Sequence, residues 1–76
     1  MTDITTTLDV RGRLCPLPIV RASQAIKGLA SGQTLEVLST DPSSVPDFAA
    51  WSKTTGNTLI EQSQDGAVFR FVLQKS

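Results

Sequence analysis

Apolar and polar positions alternate at Leu8 and Val10, which predicts a short strand over residues 7–10. Gly12 interrupts that strand with a turn. From Pro16 to about Ala30 the period changes. Ile19, Ala22, Ile26 and Leu29 recur at spacings of three and four, with Val20 and Ala25 widening the stripe. Arg21, Gln24 and Lys27 fall on the other side, and Gly32 marks a stop. Residues 34–40 predict a second strand. Leu35 and Val37 share one face and Leu38 takes the other, as an inner strand requires. Asp41-Pro42-Ser43-Ser44 is a turn, and a second helix starts near Ser44, with Asp47 completing a capping box and Pro46 in the first turn. Its inward stripe is Val45, Phe48, Ala49 and Ser52, with Trp51 beside it, and Gly56-Asn57 ends it. Residues 58–62 and 68–74 predict two strands, and the Asp65-Gly66 pair between them signals a hairpin.

The predicted order is βαβαββ. A right-handed β-α-β crossover makes the first two strands parallel and places both helices on one face of a four-stranded mixed sheet. The fold class is therefore α/β (α+β), a two-layer sandwich. Its second sheet face is partly bare, which suits a partner or a second copy. Seventy-six residues predict a single domain over 1–76, with 1–6 as a loose lead-in.

Composition removes several function classes. One Cys and no His exclude an internal disulfide, a Cys/His zinc site and a Cys/His hydrolytic pair. No neighbouring Cys is present for a dithiol redox cycle, and no glycine-rich phosphate loop occurs. The residues at the start lack a basic segment followed by an apolar run, and no apolar stretch approaches the roughly 18–20 residues of a membrane span. The expectation is a cytoplasmic chain, where a lone thiol stays reduced, without direct nucleic-acid or membrane binding. The net charge of zero agrees with the absence of broad nucleic-acid binding.

The candidate chemistry lies in Gly12-Arg13-Leu14-Cys15-Pro16-Leu17-Pro18. Proline suits the first turn of a helix, because the N–H it lacks has no intrahelical partner there. Prolines at 16 and 18 thus predict a helix start beside Cys15, with the N–H groups of Leu17 and Ile19 left to face an anion. No acidic residue lies between Asp9 and Glu36, while Arg11, Arg13, Arg21 and Lys27 do. Positive charge beside a thiol lowers its pKa. Open α/β sheets gather sites at the carboxyl ends of strands, so the Asp41-Pro42 loop shares an edge with Cys15, which is expected to be exposed. The opposing reading makes Cys15 a small buried hydrophobe. With no base and no second thiol, the exposed form is a carrier, and a persulfide is the cargo that fits best.

The stretch Leu8-Asp9-Val10-Arg11-Gly12-Arg13-Leu14-Cys15-Pro16-Leu17-Pro18 resembles the signature of the TusA/SirA-like sulfur-carrier family, and Gly32-Gln33-Thr34-Leu35-Glu36-Val37 and Thr40-Asp41-Pro42 extend the resemblance over residues 8–74. It implies a small sulfurtransferase with a βαβαββ fold and no cofactor, whose Cys15 carries a persulfide. The implied donor is a cysteine desulfurase or a rhodanese-like enzyme, and the acceptor is a relay protein. Destinations in the family include tRNA thiolation, molybdenum-cofactor maturation and dissimilatory sulfur oxidation. The chain departs from the pattern at Ser23 and Gln24, where members often carry basic residues, and at Leu17, where some carry an acid. The competing expectation is a binding or regulatory module without chemistry, using the Cys-Pro-Leu-Pro loop as a docking edge.

Overall fold

A computed structural model describes residues 4–13 and 17–76. The elements run β1 (Thr6–Asp9), α1 (Leu17–Lys27), β2 (Thr34–Ser39), α2 (Ser44–Thr55), β3 (Thr58–Asp65) and β4 (Val68–Gln74). The sheet order is β1-β2-β4-β3, with β1 parallel to β2 and the other pairs antiparallel. This is the expected α+β sandwich with a mixed sheet.

The core is where the apolar pattern placed it, on the helix side of the sheet. Leu35, Val37, Phe71 and Leu73 meet Ala22, Ile26, Phe48 and Trp51, all buried. The Phe48 ring lies 4.7 Å from that of Phe71 and 6.0 Å from that of Trp51, edge-on to the indole. Burying a side chain of this size contributes about 1.5–3 kcal/mol.

Both helices are rotated slightly from the predicted stripes. In α1 the buried positions are Pro18, Ala22 and Ile26, a strict four-residue row. Each helical residue turns the chain by about 100°. Val20 therefore lies past Ile19 and joins Leu17, Arg21 and Gln24 on the solvent side instead of widening the core stripe. In α2, Trp51 is core and Ala49 is exposed. The cause is a contact between helices: the indole Nε1 donates to Ser23 Oγ of α1 at 2.8 Å, which pulls Trp51 inward.

Helix ends also differ. α1 stops at Lys27, before Gly28, where the Gly28 and Leu29 N–H groups bond to Ala25 and Ile26 carbonyls in a tighter turn. Gly32 belongs to the following turn instead. The capping box does not form, because Ser44 lies inside α2 and its hydroxyl pairs with buried Ser39 Oγ at 2.7 Å. Asp41 takes over, accepting the Ser43 N–H on its carboxylate at 3.0 Å. α2 ends as predicted at Gly56, left-handed at φ 78°.

β3 runs on to Asp65, so the hairpin turn is only Gly66-Ala67, with Gly66 at φ 60°. Between Leu59 and Glu61 the register shifts, leaving Ile60 as an extra residue in a bulge.

The helix-free face is not bare. Thr7, Glu36, Val72 and Glu61 form one row across all four strands. Thr7 Oγ1 donates to Glu36 Oε1 at 3.0 Å, and Arg70 Nε donates to the other Glu36 oxygen. The same guanidinium approaches Glu61 Oε1 at 3.8 Å. Val72, between the two glutamates in the row, is fully buried on a face that carries no helix. The Arg70 hydrogen bond is the main reason the Glu36 carboxyl sits below its ordinary pKa.

Candidate functional site

β1 and β2 are parallel neighbours, with Asp9 opposite Leu38. Chain leaving the two strands at their carboxyl ends therefore stays side by side, and the turn leading toward Cys15 runs along the exit of β2. Cys15 and Pro16, the centre of the sequence-predicted site, lie outside the described residues. Their flanks are described.

Every backbone N–H from Val10 to Arg13 has an acceptor. Val10 N–H donates to the Leu38 carbonyl at 2.9 Å, continuing the ladder past β1. Arg11 N–H donates to Asp9 Oδ1 at 3.0 Å, Gly12 N–H to Thr40 Oγ1 at 2.9 Å, and Arg13 N–H to the Val10 carbonyl at 3.1 Å. Gly12 takes φ 80°, a conformation L side chains rarely adopt, which explains glycine here. The sequence reading named Thr40 only within the Thr40-Asp41-Pro42 stretch and gave it no partner. Its partner is 28 residues away, and only the register of β1 on β2 shows the pairing.

The four candidate cations separate into two kinds. Arg11 folds back on Asp9 with two side-chain hydrogen bonds, of 2.9 and 2.8 Å. That guanidinium, helped by the Arg11 backbone N–H, draws the Asp9 carboxyl down to about 2. The Asp9 carboxylate also holds Arg11 protonated, raising its pKa. Arg13, Arg21 and Lys27 are exposed and form no ion pair among the described residues.

Leu17 opens α1 and is 43% exposed, Val20 is 41% exposed one turn on, and Pro18 between them is buried. The first turn of α1 holds no acidic residue. The start of this helix thus offers an apolar patch followed by cations. Asp41 and Pro42 organise the start of α2, with the Pro42 carbonyl accepting the Val45 N–H at 3.3 Å, and they adjoin the turn through Thr40. No helix among the described residues is long and apolar enough to cross a membrane.

The chain belongs to the TusA family of sulfurtransferases, whose family model matches residues 6–75. It is 47% identical over 76 residues to the sulfur carrier protein TusA of Allochromatium vinosum, covering 100% of both chains. It is 47% identical over 68 residues to the putative sulfur carrier protein YrkI of Bacillus subtilis, covering 90% of this chain and 91% of that one. Its fold is similar to the crystal structure of a SirA-like protein from Desulfitobacterium hafniense, with a TM-score of 0.80 and 25% identity over 91% of this chain and 95% of that one. A sulfur-carrying role among sulfur-relay partners follows from that membership.

Proposed function

We propose that the chain carries sulfur as a persulfide on Cys15, its only cysteine. In the loading step the Cys15 thiolate attacks the outer sulfur of a donor persulfide. The S–S bond of the donor breaks, a new S–S bond forms on Cys15, and the donor leaves as a thiolate. No net oxidation occurs. An acceptor thiolate then attacks the outer sulfur in turn, the S–S bond on Cys15 breaks, and Cys15 leaves as a thiolate.

The observation that carries this reading is the pairing of Asp9 with Arg11. It neutralises the carboxylate that precedes Cys15, while Arg13 and Arg21 remain unpaired among the described residues. On this reading the charges of Arg13 and Arg21 and the N-terminal end of the 11-residue helix that opens at Leu17 favour an anionic sulfur on Cys15. Gly12, Pro16, Leu17 and Pro18 shape the loop in this reading, and Arg13 and Arg21 favour the anion, whereas Lys27, in the last turn of α1, lies about 15 Å along the helix from its start, too far to act with them. The chain works as one cytoplasmic domain without a cofactor, between a cysteine desulfurase or rhodanese-like donor and a relay protein. The sulfur goes on to tRNA thiolation, molybdenum-cofactor supply or sulfur oxidation.

Mass spectrometry tests the proposal. Incubation with a persulfidated rhodanese adds one sulfur atom to the wild-type chain and none to Cys15→Ser. A wild-type chain that gains no mass from an active donor refutes it. A Cys15→Ser chain that supports sulfur delivery at the wild-type rate shows the loop to be a docking edge alone.

A further inference from the structure

We propose that Thr40 is a positioning residue for the sulfur-carrying loop, acting through its hydrogen bond from the Gly12 N–H. The inference rests on Cys15 as the carrier. Of the four N–H groups in the 10–13 turn, two bond within the turn region, to Asp9 and Val10, and one continues the strand ladder to Leu38. Gly12 alone is held by a side chain from a distant element, Thr40 Oγ1 at the exit of β2.

Sterics do not hold Gly12. A Cβ built on it meets no atom within 4 Å, so the glycine sits in open space at φ 80°. A glycine in open space is the most freely rotating residue in a chain. Three residues before the thiol, that freedom makes a swivel, and any rotation there sweeps the following loop. The Val10–Arg13 hydrogen bond closes the turn around it, and the Thr40 hydroxyl is the one contact that ties Gly12 itself to the exit of β2. The bond is exposed to solvent, so water competes for both partners and the tether carries no more than an ordinary hydrogen bond.

Thr40→Val keeps the side-chain volume and removes the acceptor, and Thr40→Ser keeps the acceptor. In Thr40→Val, amide exchange at Gly12 accelerates, and both iodoacetamide alkylation of Cys15 and sulfur uptake change by about fivefold, the factor one net hydrogen bond corresponds to. Thr40→Ser restores all three to the wild-type values. If Thr40→Val fails to fold, Thr40→Ala is read in the same assays. Wild-type Gly12 exchange and Cys15 reactivity in the variant lacking the hydroxyl overturn the proposal, as does a Thr40→Ser variant that fails to rescue. Alkylation requires only a thiol. A Thr40-dependent alkylation rate in a chain that accepts no sulfur keeps the tether and refutes the carrier reading instead.

Discussion

On the helix-free face of the sheet, Arg70 stands between Glu36 and Glu61, and Thr7 adds a fourth polar partner. Along the outer side of α1, Arg21 and Lys27 are exposed and form no ion pair among the described residues. Both surfaces carry charge, yet only one has it internally satisfied. The sheet face has closed its charges over buried Val72, and they belong to the architecture. The helix face leaves its cations and two apolar side chains available to a partner. The sequence reading put the chemistry beside the start of α1 and left the helix-free sheet face partly bare for a partner or a second copy. That sheet face carries no helix, but its charges pair with one another.

Charge reversal breaks the comparison most strongly. Arg70→Glu puts three carboxylates on neighbouring positions and removes the guanidinium that Glu36 relies on. We expect a loss of about 2 kcal/mol, a fall in Tm of about 10 °C in a domain of this size, measured by thermal unfolding at pH 7.

Acid sharpens it at a smaller scale. Glu36 and Asp9 both have folded-state pKa values below their unfolded ones. The stability they contribute is complete above the ordinary carboxylate range and is lost as pH falls through the folded values. Glu36→Gln therefore lowers Tm at pH 7, and the gap to wild type narrows as pH drops below about 4. In an NMR titration Asp9 shows a midpoint of about 2, and in Arg11→Ala that midpoint rises toward the usual carboxylate value.

The smallest expected change in stability is at Arg21→Glu, within about 0.5 kcal/mol of wild type. Its effect belongs to association: loading from an acidic-surfaced donor slows at low salt, and the difference fades as salt screens it. An Arg21→Glu chain that unfolds as early as Arg70→Glu would remove the contrast between the two faces.

The element order, the parallel pair and most of the core were legible because each rests on periodicity within one segment. What escaped needed two segments at once. Trp51 looks peripheral on its own helix, and its burial depends on Ser23 of the other. Val20 looks like core until the rotation of α1 on the sheet is known. β3 was cut short at Gln62 because it is an edge strand with most residues exposed, so Ser63 and Gln64 give no alternation to read. At the site, glycine and the lone Cys stand out in the sequence. The Thr40 hydroxyl does not, since a threonine at the end of a strand is ordinary until its neighbour is seen.

The bulge in β3 has a further consequence. β3 pairs only with β4, so its other side is a free edge of the sheet. Free edges are templates on which a second chain can add a strand. The extra residue Ile60, 37% exposed, breaks the regular spacing of that edge. Two copies aligning their β3 strands would lose register at this point. The irregularity guards against edge-to-edge aggregation in a small chain whose work, on the reading above, requires repeated encounters with other proteins.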